Sequence, residues 1–314
     1  MTRLTTALIL FALPAAAQVN IQKGTDTVSI EIDGHPFTTF YYSPEFGHPY
    51  MHPLRAATGT VVTRRFPMEK VEGESTDHPH HRGLWFAHSD VNGFDFWNNE
   101  KSYKTPNRGN IVLKSIDDIQ GGKTQGIVKA TLEWLDPTGT AILRENRVMT
   151  FYAGKSDRRI DFDFTLTPLT KVTFGDNKDG VFAIRLAAGL EEKHTGVMVN
   201  ADGCKTEAEC WGKRSNWMDT HGELAGEKVG IAILDHPANP RHPTYWHTRG
   251  YGLFAANIFG VKDFTKDKTQ DGSLVLNPGS TLRFRYRVII HPGDEKTANI
   301  AAEYEKYVAT PIKY

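Results

Sequence analysis

Apolar and polar residues alternate with a period of two over long stretches of this chain. The alternation is strict in Arg159-Ile160-Asp161-Phe162-Asp163-Phe164-Thr165-Leu166 and recurs in Leu282-Arg283-Phe284-Arg285-Tyr286-Arg287-Val288 and in Val128-Lys129-Ala130-Thr131-Leu132-Glu133-Trp134. A period of two sends successive side chains to opposite faces of a strand, one towards a core and one towards solvent or a cleft. Antiparallel sheets show this pattern, whereas buried parallel strands read as unbroken apolar runs. Turn chemistry separates the strands at Asp33-Gly34, Gly121-Gly122, Pro137-Thr138-Gly139 and Asp271-Gly272. Val229 to Leu234 and Leu253 to Ala256 are apolar at nearly every position and suit central strands buried on both faces. One stretch changes period: from about Glu295 to Val308, Ala298, Ala301, Ala302 and Tyr304 to Val308 recur at helical spacing. No internal repeat, low-complexity tract or long linker interrupts the pattern. The expectation is a mainly β fold, a large antiparallel β-sandwich with a C-terminal helix, forming a single domain over residues 18–314.

Composition narrows the classes of function. The 314 residues hold 37 basic and 37 acidic side chains, with no basic run, so neither nucleic acid nor an anionic membrane surface is indicated as a partner. Residues 1–17 differ from the rest: Arg3, an apolar stretch from Ala7 to Leu13, and the small residues Ala15, Ala16 and Ala17. They read as a secretory signal peptide cut after Ala17, which predicts a secreted or periplasmic protein. The apolar stretch is too short to span a bilayer, and no later segment is long enough. Two cysteines, Cys204 and Cys210, form a local disulfide in an oxidising compartment or else stay free thiols.

The chemistry concentrates in histidine. Of 13 histidines, three stand in Asp77-His78-Pro79-His80-His81-Arg82-Gly83, with His88 close behind; His236, His242 and His247 share a second segment rich in proline and glycine. Pro79 keeps the first segment out of a sheet interior until Gly83. An extended backbone there puts His78 and His80 on one side and His81 on the other. Three readings of the cluster stand. Imidazoles oriented by Asp77 can transfer protons or bond sugar hydroxyls. His78, His80 and Asp77 are also ligand types for zinc or copper, with His236 or His242 as further candidates. Or the rings fill space and satisfy backbone groups.

Two further patches carry binding chemistry. Val91-Asn92-Gly93-Phe94-Asp95-Phe96-Trp97-Asn98 sets aromatic rings beside amide and acid groups, a mix suited to an amphipathic small molecule; Phe94, Phe96 and Trp97 equally suit a core. Asp176 lies in a loop just before Arg185, which sits in an otherwise apolar strand and, if buried, needs a partner: Asp176 or a substrate oxygen. No nucleophile elbow, phosphate loop, zincin helix or CxxC pair is present, and no cofactor is expected. Paired carboxylates leave no short signature, so hydrolysis by acids stays open.

The runs Tyr50-Met51-His52-Pro53-Leu54, Thr58-Gly59-Thr60-Val61-Val62-Thr63-Arg64, DHPHHRGLW from Asp77, Val91 to Trp97, and Asp235-His236-Pro237 to Gly252 resemble an uncharacterised bacterial family catalogued as methane oxygenase PmoA or PmoA-like. A methane oxygenase subunit of the membrane needs several transmembrane helices, and this chain has no segment for one. The resemblance implies instead a β-supersandwich similar to galactose mutarotases and glycoside-processing enzymes. Mutarotases pair a carboxylate base with histidine acids; histidines match here, and no residue matches the base.

Together these readings predict a secreted carbohydrate-active protein: an enzyme acting on a sugar or glycoside, or else a non-catalytic glycan-binding protein or a metalloprotein using the DHPHH cluster. His80 and His81 are the candidates for proton transfer, with Asp77 or Asp176 orienting them or acting as the acid partner. Arg82, Arg185 and Arg249 are candidates for holding substrate oxygens, and Trp97 or Trp246 for stacking on a ring. His78, Asn92, His236 and Asn239 complete the candidate substrate set, and no residue is assigned to a metal.

Overall fold

The computed structural model describes residues 18–104 and 106–310. The signal peptide read from residues 1–17 lies outside them. In chain order the strands are β1 (Val19–Lys23), β2 (Thr27–Ile32), β3 (His35–Tyr41), β4 (Tyr50–Met51), β5 (Leu84–His88), β6 (Asn110–Gln120), β7 (Gln125–Leu135), β8 (Ala141–Tyr152), β9 (Arg158–Pro168), β10 (Val172–Phe174), β11 (Gly180–Arg185), β12 (Val197–Asn200), β13 (Trp217–Leu224), β14 (Glu227–Asp235), β15 (Tyr245–Thr248), β16 (Leu253–Asn257), β17 (Leu274–Leu276) and β18 (Leu282–Pro292). The helices are α1 (Thr206–Cys210), α2 (Val261–Thr265) and α3 (Ile300–Ala309).

Two eight-stranded sheets carry the fold. The first runs β1-β2-β3-β4-β5-β11-β16-β15 and the second β12-β13-β14-β18-β9-β8-β7-β6, while β10 pairs with β17 alone. The pairings are antiparallel throughout, as the period-two pattern requires. The inner faces meet through aromatic rings: Phe86 stacks on Phe164 at 4.1 Å, and Phe182 lies 5.0 Å from Phe162 and 4.7 Å from Tyr286. Each such buried ring stabilises the sandwich by about 1.5–3 kcal/mol through area removed from water.

The alternation in β9 and β18 sorts as expected. Ile160, Phe162, Phe164 and Leu166 turn into the core, while Asp161 and Asp163 face outwards and pair with Arg287, Arg283 and Arg285. The C-terminal helix packs on this outer face, where Ile300, Tyr304 and Tyr307 meet Trp217, Leu234 and Ile289. It starts at Ile300, later than the Glu295 expected from spacing. Asp294 Oδ1 accepts the Thr297 amide at 2.8 Å and Asn299 is left-handed at φ 52°, so residues 294–299 are a turn and helical backbone begins only after it.

On the first sheet the register fixes which side chains face outwards. One row across it reads Tyr41, Tyr50, Trp85, Ala183, Ala255, His247, and the row on the core side reads Phe86, Phe182, Ala256, Trp246. Ala183 and Ala255 carry nothing beyond Cβ, so the outer row is low between Trp85 and His247. A cavity stands over this part of the sheet.

Candidate functional site

The segment from Asp77 to Gly83 departs from the extended form expected of it. His78 is left-handed at φ 44°, and the His81 amide donates back to the His78 carbonyl at 3.0 Å. This turn brings all three imidazoles to one side. His78 stacks on His81 at 4.8 Å and 7°, and His80 meets His81 edge-on at 4.3 Å. Gly83 makes the turn's exit: at φ 55° a Cβ there would lie 2.1 Å from the Met51 carbonyl oxygen, so only glycine fits.

Asp77 anchors the turn. Its Oδ1 accepts from Arg64 at 2.6 Å and from Arg185 at 2.9 Å, and its Oδ2 faces His78 Nδ1 at 2.5 Å. Both arginines are fully buried, with side chains 1% and 0% exposed. The partner that Arg185 requires is thus Asp77, not Asp176. Partial burial opposes ionisation of Asp77, but Arg185, His78 and Arg64 outweigh it and hold the carboxyl well below the usual carboxylate range.

These contacts assign protons. Arginine only donates, so His81 Nδ1, 3.2 Å from Arg185 Nη1, is an acceptor and the His81 proton sits on Nε2. The Asp77 carboxylate only accepts, so His78 carries its proton on Nδ1 and, when neutral, presents the Nε2 lone pair. His80 Nδ1 bonds the Tyr103 hydroxyl at 2.8 Å. Burial pushes His80 down to about 3 and His81 well below the ordinary imidazole value, so both are neutral at physiological pH.

The cavity over these rings has a volume of about 340 Å³. It is lined by His78, His80, His81, Trp97 and Asn98 together with Lys178, Asp179, His247, Arg249 and Tyr251. Tyr251 stacks on His78 at 5.4 Å and 6°, so the His78 ring is held between Tyr251 and His81. Asp179 accepts from Lys178 Nζ at 2.8 Å and lies 3.9 Å from His247 Nδ1. His247 donates through Nδ1 to the Lys178 carbonyl at 2.7 Å, which leaves Nε2 as a buried lone pair with no protein partner. Burial drives His247 down to about 4. Arg249 is held by Glu207 of α1 at 2.7 Å.

Of the residues singled out in the sequence, His78, His80, His81, Trp97 and Arg249 reach the cavity, and Asp77 and Arg185 stand behind it. The others are engaged elsewhere. Arg82 pairs with Glu100 at 2.8 Å and covers the rings of Phe46 and Tyr50. The Asp176 carboxylate accepts the amides of Gly272 and Lys262 and so ties a loop to the start of α2. Asn92 sits in a tight turn and bridges to Lys171 and Thr173. His236 accepts the Ala238 amide and packs against Tyr307, and Asn239 bonds Asp235 and the Arg285 carbonyl, so the Asp235–Pro240 loop lies beneath α3, on the other sheet. Trp246 is fully buried and donates to the Ser215 carbonyl at 3.0 Å. It cannot stack on a ligand, because strand alternation gives the cavity side to its neighbour His247.

The sequence reading missed Lys178, Asp179, Asn98, Tyr103, His247 and Tyr251 as site residues. The alternation rule, applied to Tyr245–Thr248, separates Trp246 from His247; no local signal marks Tyr103. As for metal ligation, Asp219, His221 and Glu295 form a group of ligand atoms mutually within 4.8 Å, and the DHPHH residues form no such group among the described residues.

Among solved structures, this chain is similar to the alpha-galactosidase from Lactobacillus brevis, with 10% identity, a TM-score of 0.46, and coverage of 94% of this chain and 42% of that one. It is also similar to a GH36 alpha-galactosidase from Geobacillus stearothermophilus, at 10% identity and TM-score 0.38, covering 88% of this chain and 41% of that one. A polysaccharide lyase matches at 12% identity and TM-score 0.37, over 93% of this chain and 35% of that one. This chain spans less than half the length of each of them. No curated protein matches it. The methane oxygenase name attached to the DHPHHRG resemblance is carried neither by these structures nor by the family model that matches. That model, described as a family of unknown function (DUF6807), covers residues 27–305, and the chain belongs to this family.

Proposed function

We propose that this protein is an enzyme acting on a carbohydrate by acid–base chemistry, with the Asp77–His78 pair as its proton-transfer centre. One observation carries the proposal: an imidazole at the mouth of a polar cavity, stacked between two rings, with its Nδ1 proton fixed on a carboxylate that two buried arginines keep ionised. In this arrangement His78 Nε2 takes a proton from a substrate hydroxyl or carbon acid, and the Asp77 charge stabilises the imidazolium that forms. His78, bonded to Asp77, therefore replaces His80 and His81 as the proton-transfer residue of this proposal. Those two, kept neutral by burial, serve as hydrogen-bonding walls. Asp179, which also lines the cavity, is the second acid–base group, and Lys178 and Arg249 face developing negative charge on a substrate oxygen.

The lining suits a sugar better than an apolar ligand. Imidazoles, Asn98, Asp179, Lys178 and Arg249 match hydroxyl groups. The volume lies at the low end for small-ligand sites, which favours one or two sugar units over a long chain. Export from the cytoplasm belongs to the same proposal, and the Cys204–Cys210 disulfide supports it.

The test is a product screen over free sugars, glycosides and oligosaccharides, with wild type and His78→Ala side by side. Wild type is expected to convert at least one class. His78→Ala, at a partly exposed position, is expected to lose at least about 100-fold in kcat with little change in melting. Saturable sugar binding without any product would favour a carbohydrate-binding protein, and full turnover by His78→Ala would remove the dyad from the mechanism.

A further inference from the structure

The outer face of the second sheet, across the sandwich from the cavity, holds another histidine–carboxylate cluster. Register places His221, Gly230 and His291 in one row across β13, β14 and β18, and Asp219 in the next outward row beside Ala232 and Ile289. Asp219 is fully buried, at 0% exposure, and its carboxylate bonds His221 Nδ1 at 2.8 Å and His291 Nε2 at 2.7 Å. Glu295, in the turn that leads into α3, brings Oε2 to 3.6 Å from the same His221 nitrogen. Two carboxylates and an imidazole nitrogen therefore converge within 4.8 Å of one another.

Gly230 makes the convergence sterically feasible. A Cβ there would lie 2.3 Å from His291 Cε1, 2.7 Å from its Nε2 and 3.0 Å from the His221 Cβ. The central strand of the row is thus bare where the His291 ring crosses it to reach Asp219. Without an ion, the proton on His221 Nδ1 bonds Asp219; a divalent ion displaces that proton and takes its place between the two carboxylates. In tetrahedral zinc, bonds of about 2.1 Å leave ligand atoms about 3.4 Å apart. The 3.6 Å from His221 Nδ1 to Glu295 is close to that spacing, and the 2.8 Å hydrogen bond to Asp219 opens as the ion displaces the proton.

We propose that Asp219, His221 and Glu295 bind a divalent transition-metal ion of the zinc class, with His291 bonding the other oxygen of Asp219 to fix its orientation. Nitrogen and carboxylate ligands suit this class, and the carboxylate–imidazole pair behind the site is the usual outer support. The ion joins β13 to the turn before α3, so its role is to fasten the C-terminal helix to the sheet. It is separate from the sugar chemistry proposed for the cavity.

The test uses full-length protein freed of metal by chelator dialysis and titrated calorimetrically with zinc chloride. One equivalent is expected to bind, with melting raised by about 5 °C at 100-fold excess over Kd. Glu295→Gln and His221→Ala are each expected to weaken binding at least tenfold, whereas His78→Ala leaves it unchanged. Glu295→Gln lies at the surface turn and keeps the test valid if His221→Ala misfolds. No zinc binding overturns the proposal. So does binding that survives Glu295→Gln, or that is lost only in His78→Ala, which would put the ion in the cavity.

Discussion

Asp77 satisfies three groups with one carboxylate, and removing its charge separates two of its duties. In Asp77→Asn the side chain keeps its shape, but Arg64 and Arg185 lose their counter-charge while their side chains stay 1% and 0% exposed. Breaking a buried pair costs about 3–5 kcal/mol; Asp77 is 40% exposed, and screening brings the expectation to about 2 kcal/mol. The amide also no longer selects the His78 tautomer, so a kcat loss of about 10³-fold or more is expected among the molecules that remain folded. Melting curves and turnover on the same preparation check both parts, and activity within tenfold of wild type would show that His78 needs no ionised partner. The sequence announced half of this arrangement. A buried arginine in the apolar strand β11 demands an acid, which is legible from Arg185 alone. Which acid answers is not, because Asp77 stands 108 residues away in sequence and meets it only after β5 and β11 pair.

Among the elements, the strands were readable wherever one face is buried, since burial itself imposes the period of two on β7, β9 and β18. The site was less readable because it is built from turns. The left-handed His78 overrides the extended alternation that would have sent His81 away from His78 and His80. The short helix α1 is another such case, and the Cys204–Cys210 bridge closes around it. Glu207 of α1 pairs with Arg249 and also accepts the Gly250 amide at 2.6 Å, so the bridge supports one side of the cavity at a distance. A loop with a sequence separation of 6 gives about 2 kcal/mol by chain-entropy reasoning, too little to unfold the sandwich when lost. Reduction, or Cys204→Ser with Cys210→Ser, is therefore expected to raise KM severalfold through loosening of Arg249, with kcat nearly unchanged and melting lowered by a few degrees. Equal KM in oxidised and reduced protein would exclude Arg249 from substrate binding.

At the scale of the whole molecule, the histidines that the two sheets bury set the limit in acid. Burial lowers His48 and His80 to about 3 and His52, His88 and His247 to about 4. An unfolded chain restores each to an ordinary value near 6.5, so below that pH the unfolded state takes up protons that the folded state refuses. A group with a depressed folded value gives its full stabilisation above the unfolded value and loses it as pH falls towards the folded one. The window here is thus about 6.5 down to 4, and the loss approaches about 1.4 kcal/mol per pH unit for each ring. In the ion-free protein His221 and His291 behave oppositely: burial works against their charge, but Asp219 raises both above 6.5, so they are charged in both states through this window and leave the slope alone. Five such rings together remove a large part of the 5–15 kcal/mol that holds a typical domain. Circular dichroism against pH at 25 °C is expected to show cooperative unfolding between about pH 5.5 and 4, and His88→Gln or His48→Gln to shift its midpoint downwards if the variant folds at neutral pH. A protein that still melts cooperatively at pH 3.5 would mean that the buried imidazoles find solvent or partners as the pH falls, and that the cavity rings, His80 among them, are open to protonation within the working range of the site.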